Sequence, residues 1–239
     1  MSNQTIQYCF PNNNLSCTRS IRPEAEHIIV YLFIAVTSVF TVFLNLLVII
    51  SISHFKQLHT PTNVLIFSLA VADLITGLIL MPVQGMKLIE PCWYFGERFC
   101  SIFLLILYVV VTASLGNMII ISVDRYIAVN DPMNHTCIGE STDKKAKSEK
   151  KATRTLGIVV LVYLLCWMPY YLTSLSLGHN ENDSLIINVM YWIVCMNSGM
   201  NPLIYAMFYR WFRLSAKYIL TLKIFEPSSA YLNLFPEEK

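Results

Sequence analysis

One carboxylate, Asp73, stands inside a stretch from Asn63 to Met86 that holds no other charged residue. Amides and a hydroxyl occupy comparable settings, with Asn45 in one apolar run and Asn197, Ser198 and Asn201 in another. A carboxylate held away from water is costly and marks a functional position by default. Brought together, these oxygens would suit a sodium ion or an ordered water. Plain helix-to-helix hydrogen bonding is the other reading, and spacing alone weighs the two alike. Asp124-Arg125-Tyr126 closes the run from Cys100 to Val123, either as flanking charge or as a site set at a helix end. Pro169, in Cys166-Trp167-Met168-Pro169, and Pro202, in Asn201-Pro202-Leu203-Ile204-Tyr205, interrupt two further runs. Each removes a backbone donor and kinks its helix, so that one half can swing against the other. Proline is also simply tolerated in apolar helices. His27, His54, His59, His135 and His179 are scattered, with no two at ligand spacing on one helix face. With no nucleophile–base pair and no metal cluster, the expectation is no enzyme and no cofactor.

The elements that carry these residues are set by charge-free apolar runs. His27–Ser53, Cys100–Val123, Leu156–Leu177 and Ser184–Tyr209 contain no Asp, Glu, Lys or Arg, and Asn63–Met86 contains only Asp73. Each exceeds the ~20 residues that a membrane-crossing helix needs. Lipid obliges a backbone to satisfy its own hydrogen bonds, which favours helices. Composition agrees: of 239 residues 55% are hydrophobic and 13% charged, and the mean hydropathy is +0.54. These figures disfavour a soluble enzyme and exclude a disordered chain. A net charge of +2 is too weak a bias for nucleic acid. The expected architecture is an all-α integral membrane bundle. Its spans fall at about 27–53, 63–86, 100–123, 156–177 and 184–209 within a transmembrane domain 27–209.

Basic residues orient the bundle. With residues 1–26 outside, 13 of the 17 Lys and Arg residues fall inside, six of them in a basic loop 127–155. The triplets at Asn3, Asn14 and Asn182 then lie outside as glycosylation candidates, while Asn134 lies inside. No cleavable leader is visible, so the first span would act as its own insertion signal. Residues 210–225 carry Trp211, Leu214, Tyr218, Leu222 and Phe225 at three- and four-residue steps, which predicts a short helix in the inner membrane interface. The tail 226–239 is expected to be unstructured and cytoplasmic.

Asn45, Leu69-Ala-Val-Ala-Asp73, Trp93 with Cys100, Asp124-Arg125-Tyr126, Cys166-Trp167-Met168-Pro169 and Asn201-Pro202-Leu203-Ile204-Tyr205 stand in an order and spacing that resemble the rhodopsin-like G-protein-coupled receptors. The stretch from Asn197 to Phe212, Glu90-Pro-Cys-Trp-Tyr-Phe-Gly before Phe99-Cys100, and Lys151-Ala-Thr-Arg-Thr-Leu-Gly-Ile narrow the likeness to the trace amine-associated receptors. The resemblance implies seven spans. The fourth and fifth runs here match the family's sixth and seventh, so its fourth and fifth spans have no counterpart. Losing two preserves parity and topology.

What the resemblance implies follows residue by residue. Arg125 would hold the inactive state with Asp124 and then meet a heterotrimeric G protein. Tyr126, Trp167, Pro202 and Tyr205 would serve the relay, and Asp73 would host sodium with Asn45, Asn197, Ser198 and Asn201. The ligand would be a small amine among Leu107, Trp167, Tyr170, Tyr171, Trp192 and Cys195, with cation–π contacts from the rings. Most amine-binding relatives carry Asp where this chain has Leu107, eighteen residues before Arg125. Cys100 would pair with an outer-loop cysteine that is missing here. Cys9, Cys17, Cys92 and Cys100 lie outside and allow three pairings. The implied setting is the plasma membrane, with signalling impaired by the missing spans. Retention in the endoplasmic reticulum or pairing with intact receptors is the alternative.

Overall fold

In a computed structural model the described residues are 24–89, 93–130, 142–176, 181–226, 229–231 and 234, with side chains described for all but 24, 88, 124–126, 128–130, 142–153, 156 and 181–185. No strand occurs among them; the elements are helices and turns. The first, α1 (Glu24–His54), ends in a 3-10 turn at Lys56–Leu58. Thr60 then caps α2 (Pro61–Ile75), its hydroxyl accepting from Asn63 N at 3.3 Å, with Pro61 at a first-turn position that lacks an internal partner anyway.

From α2 the rod continues through a π-helical turn, Thr76–Leu80, into α3 (Met81–Ile89). Pro82 explains the turn: a proline inside the rod removes one backbone donor, and a π bulge is a common way for a helix to absorb such a break. Pro82 is a third proline inside an apolar run, beside Pro169 and Pro202. Next come α4 (Gly96–Asn130), α5 (Thr142–Ser176) and α6 (Glu181–Phe208). At 35 residues each, α4 and α5 are about 52 Å long and outreach a ~30 Å hydrocarbon layer. Helix therefore takes up part of the connector assigned to 127–155.

Among the described residues, Ala25–His54, Pro61–Lys87, Gly96–Val123 and Gly157–Ser176 are long and apolar enough to cross a membrane. α6 is 28 residues long but is not one of these four. Its apolar run is broken by Asn188, Asn197, Ser198, Asn201 and Pro202.

The rods close a ring in which α1 packs on α2 and α6, α2 on α4, α4 on α5, and α5 on α6. Close approach to α1 depends on missing side chains. A Cβ at Gly85 would lie 2.6 Å from Ile34 Cδ1, and one at Gly199 would lie 2.9 Å from Thr41 Oγ1.

Past an extended Tyr209, α7 (Arg210–Leu220) runs along α1. Arg213 donates to the carbonyls of Ala206 at 2.9 Å and Met207 at 3.0 Å, satisfying the frayed end of α6. The interfacial stripe holds only in part. Trp211 and Phe212 are buried, whereas Leu222 and Phe225 are exposed because the helix stops at Leu220 and Leu222 takes a left-handed conformation, φ 59°. The tail is not without structure: Ser229–Tyr231 forms a 3-10 turn, and Leu234 is buried.

Candidate functional site

The site grows from one consequence of Pro202. A proline has no N–H, so the carbonyl four residues earlier in α6, that of Ser198, loses its helical partner. Asn45 of α1 fills the vacancy, its Nδ2 donating to Ser198 O at 3.0 Å and to Thr41 O at 2.9 Å. One turn along, Asn201 Nδ2 donates to Asp73 Oδ2 at 2.8 Å, and Ser198 is a second side-chain partner of that carboxylate. The Pro202 turn of α6 is thus bonded to α1 and to α2 at once. Asp73, Asn45 and Asn201 are all but closed to solvent. So far from water an unmatched carboxylate would be strongly disfavoured, and these bonds hold it.

A cavity opens beside this cluster. It offers about 30 Å³, room for a water or two or a small ion but not for a drug-sized ligand. Its polar wall is Asp73, Thr76, Ser114, Asn197 and Ser198, and its apolar wall includes Leu80, Tyr163, Trp167, Tyr191 and Cys195. The amide oxygens of Asn45, Asn197 and Asn201 are buried without a hydrogen-bond donor. A carboxylate with neutral oxygens is the donor set of a hard cation; the Cys195 thiol, also in the lining, is not a donor of that kind. Among the described residues no group of three or more His, Cys, Asp or Glu could hold a metal of another kind. Of the sodium candidates, Asp73, Asn197 and Ser198 line the cavity, and their oxygens fit such an ion; Asn45 and Asn201 stand behind them, bonded to the Ser198 carbonyl and to Asp73.

The aromatic candidates meet only in part. Trp167 stacks on Tyr163 and on Tyr171, each at 5.5 Å, and meets Tyr170 edge-on at 6.2 Å. Tyr170 reaches Tyr191 across the α5–α6 seam at 5.7 Å. Trp167 and Cys195 line the cavity. Leu107, Tyr170, Trp192 and Cys195 share an apolar cluster with Tyr191, Ile34, Met81 and Ile89. Trp192, however, turns toward α1, with its ring 5.9 Å from Phe33. Tyr171 is 43% exposed and stands at the rim. Beyond Asp73, no carboxylate among the described residues lines the cavity.

Sequence reasoning missed Tyr191, Tyr163, Thr76 and Ser114. Tyr191 had a usable signal, since it lies four residues before Cys195 and hence on the same helix face. Ser114 had none, because α4 carries several hydroxyls and only packing selects one. Gln84 and Asn188 add a further tie, bonding α3 to α6 at 2.8 Å.

Other candidates separate. Tyr205 is fully buried, its ring 6.0 Å from Tyr209, and Pro202 is interior to α6. Asp124, Arg125 and Tyr126 lie in the helical backbone of α4, and their side chains are outside the described residues. So is the side chain of Asn182 in α6, and Asn3, Asn14, Cys9, Cys17 and Cys92 lie wholly outside them. Cys100 is half-buried and is a free thiol.

Comparison with known proteins places these features. The family described as 7 transmembrane receptor (rhodopsin family) matches residues 44–142 and 137–205. Trace amine-associated receptor 6 of Pan troglodytes is 31% identical over 333 residues, covering 97% of this chain and 96% of that protein. Trace amine-associated receptor 7c of Rattus norvegicus is 32% identical, covering 99% and 94%. Trace amine-associated receptor 13c of Danio rerio is 30% identical, covering 96% and 96%. The 333 aligned positions of the first exceed the 239 residues of this chain by 94. The family match breaks where its two segments meet, at 137–142, so an internal stretch of the relatives has no counterpart between α4 and α5.

Proposed function

The chain belongs to the rhodopsin family of seven-transmembrane receptors, among the trace amine-associated receptors, and from that premise we propose that it is a plasma-membrane receptor for a small amine, with its N-terminus outside the cell. The observation that carries the reading is the double tie of the Pro202 turn, to Asp73 through Asn201 and to Asn45 through the Ser198 carbonyl. A receptor needs an element with two arrangements that a ligand binds unequally. A kinked helix held at its weak point by a few buried bonds is such an element, and the aromatic wall touches the same cavity.

In this mechanism the ligand enters from the outer end and presses on Trp167 and Tyr170. An ammonium there meets ring faces; Leu107 offers it no carboxylate. Displacement of Trp167 moves the cavity wall shared with Asp73, and the strain falls on the Asn201 bond. The half of α6 beyond Pro202, with Tyr205, then shifts against α1. At the inner end Arg125 leaves Asp124 and meets the G protein. Asp73, with Asn45, Asn197, Ser198 and Asn201, would hold a sodium ion, which when bound would supply positive charge to the carboxylate.

A second reading has its own support. The relatives' internal stretch is absent next to α4 and α5, and the membrane-crossing windows of these two helices are only 28% and 22% buried. A chain so shaped would be a non-signalling partner, retained in the endoplasmic reticulum or paired with intact receptors. Cells expressing the chain with an N-terminal tag separate the two. A rise in cyclic AMP on adding an amine, lost in Asn201→Ala, is the expected result. Silence at full surface staining rejects the signalling role for this chain and leaves the partner role.

A further inference from the structure

Beyond α7 the chain folds back onto the turn between α1 and α2. His54 Nε2 lies 2.9 Å from Ser229 Oγ. The single proton of that hydroxyl is given to Ile224 O at 2.7 Å, so His54 is the donor. Lys56 Nζ donates to Tyr231 Oη at 2.6 Å and stands 4.4 Å from the centroid of the same ring. The backbone N–H of Leu234 donates to Gln57 Oε1 at 3.0 Å. The Leu234 side chain is 0% exposed and belongs to one apolar cluster with Phe55, Leu58, Trp211 and Phe212.

These contacts have the form of short-peptide recognition. One anchor reads the backbone, two read side-chain hydroxyls, and one is a leucine in a closed apolar pocket. The polar anchors are three near-neighbours on the turn, His54, Lys56 and Gln57, and they meet residues 175 to 177 positions later. The Lys56 hydrogen bond, and secondarily its charge, hold the Tyr231 phenol below its ordinary pKa. None of this belongs to the Asp73 site, and none of it depends on what the bundle binds.

We propose that the groove between the α1–α2 turn and α7 is a peptide-docking surface whose resident is the chain's own tail. It accepts a segment presenting a hydroxyl, a phenol two positions on and a leucine three positions beyond that. While docked, the tail ties α7 to the α1–α2 turn. Because the tail is tethered at high effective concentration, a partner carrying the same pattern gains the groove only when the tail leaves it.

The test uses the full chain in lipid nanodiscs. Backbone amides of the tail should exchange about tenfold more slowly in the wild type than in Leu234→Asp, and Gln57→Ala should fall between. A fluorescent peptide of residues 226–239 should bind the Leu234→Asp chain and not the wild type, whose groove is filled. Tail exchange at the same fast rate in wild type and Leu234→Asp overturns the proposal, as does peptide binding that ignores the substitution. Should Leu234→Asp expose the buried thiols of Cys166 and Cys195, Tyr231→Phe replaces it. That change removes only the rim bond to Lys56 and is expected to speed tail exchange about threefold; no change in that variant overturns the proposal equally.

Discussion

The two sides of the ring are held by different forces. On the α1–α2–α6 side, glycines let backbones close in, and side-chain bonds cross between helices: Asn45 to the Ser198 carbonyl, Asn201 to Asp73, Gln84 to Asn188. On the α4–α5 side Trp167 stacks within α5 on Tyr163 and Tyr171, and a side-chain bond leaves α4 for α2, from Asn117 to Ser68 at 3.0 Å. Large side chains such as Leu105, Tyr108, Leu165 and Leu175 point outward there. The membrane-crossing window of the α2 rod is 50% buried, and that of α5 is 22% buried. The difference teaches what lipid does to packing. A leucine that leaves a neighbour for acyl chains loses little, whereas an amide or carboxylate that leaves its partner has nowhere to go. Specific association is therefore concentrated where the polar atoms are. The side next to the missing stretch can shed a neighbour and still remain in the membrane.

That contrast can be broken from its strong side first. Asn201→Leu removes the donor to a buried carboxylate and should cost about 2–3 kcal/mol. It would be read as a lower midpoint in a thermal scan with a dye that reports the buried Cys166 and Cys195 thiols in detergent. Adding Asp73→Leu should recover part of the loss, because the group left unpaired is then gone. A second full loss would mean that Asn201 does not serve Asp73.

Next in size is the response to sodium. At equal ionic strength, replacing choline by sodium at about ten times its dissociation constant should raise stability by about 1.4 kcal/mol. Asp73→Asn should abolish the gain. An equal response in that variant would remove the cation from the polar cluster and leave hydrogen bonding as its whole role.

The smallest effect is expected on the weak side. Leu165 is 64% exposed on α5, and Leu165→Ala should stay within about 0.5 kcal/mol by the same scan. A clearly larger loss in membranes from cells that also express a seven-span relative, absent from the chain alone, would show that a partner covers this face. It would turn the weak side of the comparison into an interface.

Much of this was legible in the residues. Charge-free runs mark the helices because a backbone in lipid has no other partner than itself, and Asp73, Asn45 and Asn201 stand out because polar atoms in such runs are costly. Other features carried no local mark. The turn Thr76–Leu80 answers to Pro82 only once the rod is seen to continue through it. Leu222 and Phe225 fit a helical stripe on paper, but α7 ends before it reaches them. The seating of Leu234 joins segments more than 170 positions apart.

By itself the sequence marked the apolar runs, the polar atoms that would need partners inside them, and the proline at position 202. All of these follow from transfer costs and from a backbone donor that is absent, which are properties of single residues or of neighbours along the chain. Only the tertiary structure decided who satisfies whom. The Ser198 carbonyl freed by Pro202 could have been answered from any side, and Asn45 answers it because Gly199 lets α6 approach Thr41 of α1. Hydrogen bonds are short and directional, so which of several eligible groups makes one is settled by helix distance and rotation, and these belong to the packed bundle.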